Sequence, residues 1–396
     1  MFAKKTVKDV DVRGKRVLVR VDFNVPLAEG TVTDDTRVRA ALPTIRYLID
    51  HGARVILASH LGRPKGEPDP QFSLRPVRRV LQRLIGRNVA FVEDIVGPDA
   101  REAVDRMVDG EILMLENVRF DPGEKKNDPE FAKALASLAE VYVNDAFGSA
   151  HRAHASTAGV ADYLPAYAGL LLAREVETLS DMLADPQRPF VAILGGSKVS
   201  DKFSVIERLL DVADTLVIGG GMCFTLLVAK GVPVGKSIVE ADWIEPAKQV
   251  LATAADKGVS ILLPVDFVVA EAMVEDAETR ICGREEIPES QMGLDIGPTS
   301  VELFAEAIAS ARTIFWNGPM GVFELTPVEN GTKRVAMAVS RNNRAVSVVG
   351  GGDSVAALRK FDLEERVTFV STGGGASMKL LEGSPLPGVD ALLDQE

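Results

Sequence analysis

Phe190-Val191-Ala192-Ile193-Leu194-Gly195-Gly196-Ser197-Lys198-Val199-Ser200-Asp201-Lys202 is an apolar run, a glycine pair and a polar segment carrying two lysines. An unbroken apolar run of this length reads as a strand buried on both faces, which is the habit of parallel sheets covered by helices on either side. The glycines make the turn, and the residues after them are expected to open a helix whose free N–H groups point at an anion. Lys198 and Lys202, four positions apart, would then reach phosphate oxygens from one helix face.

The same unit recurs in both directions. Downstream, Thr215 to Ile218, Val259 to Leu263, Thr313 to Trp316, Val346 to Val349 and Val367 to Val370 read as strands, each followed by glycine or helix-starting residues. Upstream, Val17 to Val21, Arg54 to Ala58, Asn88 to Val92, Glu111 to Leu115 and Val141 to Asn144 read the same way. Between the first two of these, Val38, Ala41, Leu42, Ile45, Leu48 and Ile49 share one face at helical spacing, with Pro43 the only irregularity. A helical stretch from Gly169 to Leu183 and the segment Asp185-Pro186-Gln187-Arg188-Pro189, which reads as a linker, separate the two series. The expected fold is therefore α/β with two parallel sheets. Thr299-x-x-Glu302 reads as a capping box opening a helix that buries Val301, Phe304, Ala305 and Ile308.

The whole chain of 396 residues suits two or three domains, and 46% hydrophobic with 26% charged residues is an ordinary globular composition. A mean hydropathy of +0.09 and the lack of a long apolar stretch argue against a membrane span. Cys223 and Cys282 are the only cysteines, so no disulfide framework or C-x-x-C pair is available, and a cytoplasmic location is expected. The N-terminus has no apolar core of a signal peptide. A net charge of −12 disfavours nucleic acid and anionic membranes as partners. The charge is uneven: up to Leu170 there are 25 Lys and Arg against 24 Asp and Glu, and beyond it 20 against 33.

Ligands of parallel α/β folds bind beyond the C-terminal ends of the strands. In the first half those positions share a theme. Arg63, Arg119 and Arg152 follow three strands, Arg37 opens the first helix, and Asp22 and Asn24 add groups that hydrogen-bond hydroxyls. Guanidinium forks match carboxylate and phosphate oxygens, so such a ring suits a small, multiply anionic, hydroxylated molecule. His60 reads as a further donor or as a packed loop residue. His151-x-x-His154 lacks a third ligand for a metal site.

In the second half glycine clusters follow the strands, at Gly195-Gly196, Gly219 to Gly221, Gly318 to Gly321, Gly350 to Gly352 and Gly373 to Gly375. They imply close backbone approach, read as a nucleotide cleft, with Asp353 as the oxygen ligand of a phosphate-bound Mg²⁺. No G-x-x-x-x-G-K-[ST], G-x-G-x-x-G or G-x-S-x-G occurs, which lowers the standing of P-loop ATPases, dinucleotide dehydrogenases and serine hydrolases.

These residues resemble one family closely. Arg20 to Pro26, Ser59 to Pro64, Glu116 to Phe120, Asn144 to Gly148 continuing to His154, Gly195 to Lys202, Trp316 to Glu324, Gly350 to Ser354 and Ser371 to Ala376 match the motifs of phosphoglycerate kinases in order. The resemblance implies two Rossmann-like, doubly wound domains joined by a hinge: 1–170 for 3-phosphoglycerate, 171–189 as interdomain helix and hinge, and 190–379 for the nucleotide. A final segment from about residue 380 would pack back on the first domain. It places Asp22, Asn24, Arg37, His60, Arg63, Arg119 and Arg152, with the intervening Phe23, Leu61 and Gly62, at the acid substrate. Gly195, Lys198, Lys202, Gly293, Asn317, Glu324 and Gly351, Gly352, Asp353 and Ser354 would contact ADP or ATP, Glu324 at the ribose. Arg37, Lys198 and the Gly373, Gly374, Gly375 loop would act on the transferring phosphoryl group, Mg²⁺ would accompany the nucleotide, and the protein would be a monomer. Two departures stand out: Ser197 replaces a common alanine, and Met378-Lys379 replaces Leu-Glu. The competing readings are a nucleotide-binding protein without turnover and an NAD-dependent dehydrogenase, which would need the missing dinucleotide fingerprint.

Overall fold

Residues 2–395 are described in a computed structural model. Contacts divide the chain into two units, Met1–Thr178 with Ser384–Glu396, and Leu179–Gly383.

The first unit is built on Arg16–Arg20, whose last four residues are buried because both sheet faces are covered. It pairs in parallel with Arg54–Ala58 on one side and Val141–Asn144 on the other. The six strands run across the sheet as Ala90–Phe91, Ile112–Met114, Arg54–Ala58, Arg16–Arg20, Val141–Asn144 and Ala166–Ala168, all parallel. The helix Thr36–Asp50 buries Val38, Ala41, Ile45, Leu48 and Ile49 against this sheet and carries Pro43 on its exposed side. The last residues of the chain belong here: Asn144 Nδ2 donates to Gly388 O at 2.9 Å, and Lys4 Nζ donates to Asp390 O and Leu392 O.

In the second unit the parallel order is Ser260–Leu262, Thr215–Ile218, Phe190–Leu194, Thr313–Asn317, Val346–Gly350 and Phe369–Val370. Numbered along this unit the order is 3-2-1-4-5-6, that of the dinucleotide-binding Rossmann sheet. The first unit departs from it, reading 3-4-2-1-5-6. In both sheets the strand order reverses beside the first strand, which places the switch points at the loops after Arg20 and Asn144 and after Leu194 and Asn317.

Sequence patterning overlooked Ala166–Ala168 and an antiparallel sheet of Arg280–Gly283, Asp266–Ala270 and Met292–Ile296. The expected capping box is also corrected. The helix is Pro298–Ser310, its N-cap is Gly297, and no side chain of the N-cap bonds it. Instead the Asp266 carboxylate, 33 residues upstream, accepts from the N–H groups of Thr299 and Ser300 at 2.9 and 2.8 Å. Burial works against that carboxylate, but the Ser300 and Thr299 hydrogen bonds outweigh it and hold the Asp266 pKa below the ordinary value. On this helix Val301, Phe304 and Ile308 are buried, while Ala305 is half-buried.

Candidate functional site

In the first unit the expected basic residues come from the first helix (Arg37) and from the segments after three strands, Arg54–Ala58 (Arg63), Ile112–Met114 (Arg119) and Val141–Asn144 (Arg152), the last of them at the switch point. Arg37 Nη1 donates to Asn24 O at 2.9 Å and to Asp22 Oδ1 at 3.3 Å. Asn24 Oδ1 accepts from Gly62 N at 2.8 Å, tying the loop after the first strand to the loop after Arg54–Ala58. Arg119 Nη1 donates to Gly62 O at 2.6 Å, while its buried Nε has no hydrogen-bond partner among the described residues. Phe23 and Leu61 are core side chains, so only their backbone is offered to a ligand. Gly62 has φ +62, and a Cβ there would overlap the Phe72 ring. Arg63 is exposed, Arg37 and Arg152 half-buried, and Arg152 Nε donates to His151 Nε2 at 3.1 Å.

Four cations bear on one buried imidazole. His60 is buried and held well below the usual histidine range, first by burial and then by Arg20, Arg119, Arg152 and Arg37. Burial, then Arg152 and Arg20, push Arg119 down to about 10, so it remains charged at neutral pH. Burial lowers Arg152 as well; Asp22 opposes that shift and Arg63, Arg20 and Arg37 add to it. Arg119 and Arg152 are thus each lowered by other arginines of the site as well as by burial. Arg20 was missed in the sequence because it sits inside an apolar strand; a charge in such a run was the available signal.

In the second unit several glycines approach one another rather than open space. Gly195 N donates to Asn317 O, Gly196 N to Pro319 O and Gly220 N to Met320 O, each at 3.0 Å. A Cβ on Gly195 would run into the Pro319 carbonyl, and one on Gly318 into the Gly195 carbonyl. This corrects the expectation that all the clusters are shaped by a ligand: Gly195 and Gly318 are glycine because two loops interlock. Gly352 differs, with nothing within 4 Å of an added Cβ. Gly351 (φ +92) caps the helix Gly352–Lys360, which carries Asp353 in its first turn.

Lys198 and Lys202 do not share a helix as expected, because Lys198 lies in the loop and Lys202 ends a 3-10 turn before the helix Phe203–Leu209. Both nevertheless line one chamber of about 200 Å³ with Asn317, Gly351, Gly352, Asp353 and Ser354. Lys202 Nζ donates to Gly195 O at 2.6 Å and Asn317 O at 2.8 Å, and burial pushes its pKa down to about 8. Asn317 Nδ2 donates to Gly350 O at 3.0 Å, and Ser354 Oγ accepts from Gly318 N at 2.5 Å, so both side chains hold loops in place.

A second cavity of about 490 Å³ also includes Gly196, Ser197 and Asp353 and extends to Gly293 and Glu324. Its walls include Phe224, Ile238, Phe267, Met273, Met292 and Leu294, none of which the sequence singled out. Gly293 is required there, since a Cβ would overlap the Phe224 ring. An apolar slot opening beside a small polar chamber suits a planar base followed by phosphates. Asp201 and Asp353 both line the chamber, and Mg²⁺ carried by a nucleotide takes one or two protein carboxylates beside phosphate and water. No cluster of three or more metal-ligating side chains occurs among the described residues.

The chain is similar to known proteins over nearly its whole length. Residues 7–384 match the family model described as phosphoglycerate kinase. The phosphoglycerate kinase of Rubrobacter xylanophilus is 58% identical over 393 residues, 99% of each chain, and that of Moorella thermoacetica 57% identical over 394 residues, all of each chain. Among solved structures, the phosphoglycerate kinase of Coxiella burnetii has a TM-score of 0.88 at 43% identity, and that of Pyrococcus horikoshii OT3 a TM-score of 0.87 at 34%, each covering 98% of both chains. By full-length similarity in both sequence and fold, the chain belongs to the phosphoglycerate kinase family.

Proposed function

We propose that the chain divides one phosphoryl transfer between its two units, the sugar acid on the first and the nucleotide on the second. Members of the family are phosphotransferases of glycolysis, moving a phosphoryl group reversibly between 1,3-bisphosphoglycerate and ADP. The observation that carries the division is the gathering of Arg20, Arg37, Arg119 and Arg152 around the buried His60, a cluster of cations that a multiply anionic acid would neutralise. In this reading Asp22, Asn24, Arg37, His60, Arg63, Arg119 and Arg152 hold the acid. Phe23, Leu61 and Gly62 contribute backbone.

The nucleotide lies along Gly195, Lys198, Lys202, Gly293, Asn317 and Gly351 to Ser354, with Glu324 at the ribose. Asp353 would hold its Mg²⁺, which supplies charge neutralisation on the phosphates. Both nucleophiles, a carboxylate and a phosphate oxygen, are already anions at neutral pH, so no residue need act as general base. Protein groups instead position the reactants and offset developing charge: Arg37 and Lys198 at the transferring group, Lys202 at the nucleotide phosphates. Backbone donors come from the Gly373 to Gly375 loop. Gly373 N already donates to Ser371 Oγ at 3.1 Å, so the donors proposed there are Gly374 and Gly375.

Transfer requires the two ligands to meet and the acyl phosphate to be kept from water, from which we infer a hinge-bending closure through the segment 171–189. A monomeric, cytoplasmic enzyme completes the proposal. A coupled assay with ATP, Mg²⁺ and 3-phosphoglycerate tests it, and absence of product refutes it. In small-angle scattering the radius of gyration should fall only with both substrates present; an unchanged radius contradicts the closure.

A further inference from the structure

Arg20 is 1% exposed, and its guanidinium makes three directed bonds. Nη1 donates to Val21 O at 2.5 Å, Nε to Ser156 Oγ at 2.7 Å, and Nη2 meets His60 Nδ1 at 3.1 Å. A guanidinium has donors only and stays protonated. His60 Nδ1 must therefore offer its lone pair, and the ring proton must sit on Nε2. Behind Arg20, Ser156 Oγ donates to Glu124 Oε1 at 2.7 Å and Ser156 N to Glu124 Oε2 at 2.9 Å. Glu124 is fully buried. Burial alone would raise its pKa, but the His154 ring 3.7 Å away, the Arg20 charge and the Ser156 bonds hold it below the ordinary value.

We infer that Glu124 and Ser156 are positioning residues that, through Arg20, lock His60 as the neutral imidazole protonated on Nε2, a fixed hydrogen-bond donor for an oxygen of the acid substrate. This rests on the reading that the acid binds at this face. The chemistry favours the arrangement. Arg20 on the first strand, Arg37 on the first helix, Arg119 after the strand Ile112–Met114 and Arg152 after Val141–Asn144 all oppose a charged imidazole, and the carboxylates among them, Asp22 and Glu124, are engaged with those arginines. A neutral ring has one donor and one acceptor, and an anion gains only from the donor. Arg20 removes the wrong tautomer. The buried Glu124 carboxylate in turn keeps the buried Arg20 charge from being uncompensated.

Long-range nitrogen–proton NMR on the full-length, ¹⁵N-labelled chain without substrates tests this, with His60→Gln assigning the signals among the four histidines. The expected wild-type pattern is a single Nε2-protonated ring, unchanged from pH 8 to pH 6. A ring protonated on Nδ1, or doubly protonated at neutral pH, overturns the inference. In Ser156→Ala and Glu124→Gln the Nδ1-protonated form should appear, with the KM for 3-phosphoglycerate rising about three- to tenfold, the worth of one hydrogen bond, and the KM for ATP unchanged. If either variant fails to fold, the other and the wild-type spectrum still decide. Persistence of the pure Nε2 form in both variants refutes the relay. An unchanged acid KM in His60→Leu, which has no donor to offer, instead refutes placement of the acid at this face, and with it the functional half of the inference.

Discussion

In the proposed function, the arginine-rich face of the first unit and the glycine loops of the second hold anions by opposite means. On the first, ionised side chains project from strand ends and are separately replaceable. On the second, loop backbones are locked into one another, with Lys202 tying the carbonyls of Gly195 and Asn317. The contrast teaches that a charge array should lose function without losing its fold, whereas an interlocked backbone should lose both together.

Arg37→Ala is the sharpest way to break that contrast. Removing the cation proposed to act on the transferring group should lower kcat by about 10²- to 10³-fold, with thermal stability and the KM for ATP nearly unchanged. A defect confined to nucleotide affinity would contradict its role. Gly318→Ala should act the other way. Its φ of +99 and the Gly195 carbonyl leave no room for a methyl group, so stability should fall by about 1–3 kcal/mol from backbone strain alone, with nucleotide binding lost in parallel. Gly352→Ala sharpens the point: in open space it should keep stability within about 0.5 kcal/mol, and denaturation midpoints of the two variants provide the check.

A last effect concerns pH. Because the folded-state pKa of Lys202 is lowered to about 8, the unfolded chain binds its proton first as pH falls from about 10.5. Lys202 therefore costs stability below about pH 8 and ceases to do so as pH rises through the window from 8 to 10.5. A bound phosphate favours the protonated amine, so nucleotide affinity should weaken above pH 8, and Lys202→Met should abolish both slopes. Calorimetric titration of ADP between pH 7 and 9 measures the second slope, and a flat profile in the parent chain contradicts the assignment.

Sequence pattern revealed the parallel strands well, because residues such as Val17 to Val19 and Phe190 to Leu194 are buried on both faces and leave an unbroken apolar run. It missed Asp266–Ala270 although four of its five residues are buried, and it missed Arg280–Gly283 for lack of burial. Arg280–Gly283 is largely exposed, with Ile281 60% accessible, so no run marks it. The Asp266 cap was hidden for another reason, since its partners are 33 residues away and no local motif encodes them. At the site, Arg63, Arg119 and Arg152 were legible as a group because each follows a strand. Arg20, Ser156 and Glu124 were not, because a buried charge is explained only by partners that folding brings together. Glycine clusters announce close approach without saying to what, which is why Gly195 and Gly352 read alike in sequence and differ in space.

The division of labour is tested most directly by hydrogen exchange of the full-length chain with one ligand at a time. The account requires 3-phosphoglycerate alone to protect amides in Val21 to Asn24, Ser59 to Arg63 and around Arg119 and Arg152, and Mg-ADP alone to protect those of Gly195 to Lys202 and Gly351 to Ser354. Protection of the glycine loops by the acid, or of the arginine loops by the nucleotide, would contradict it.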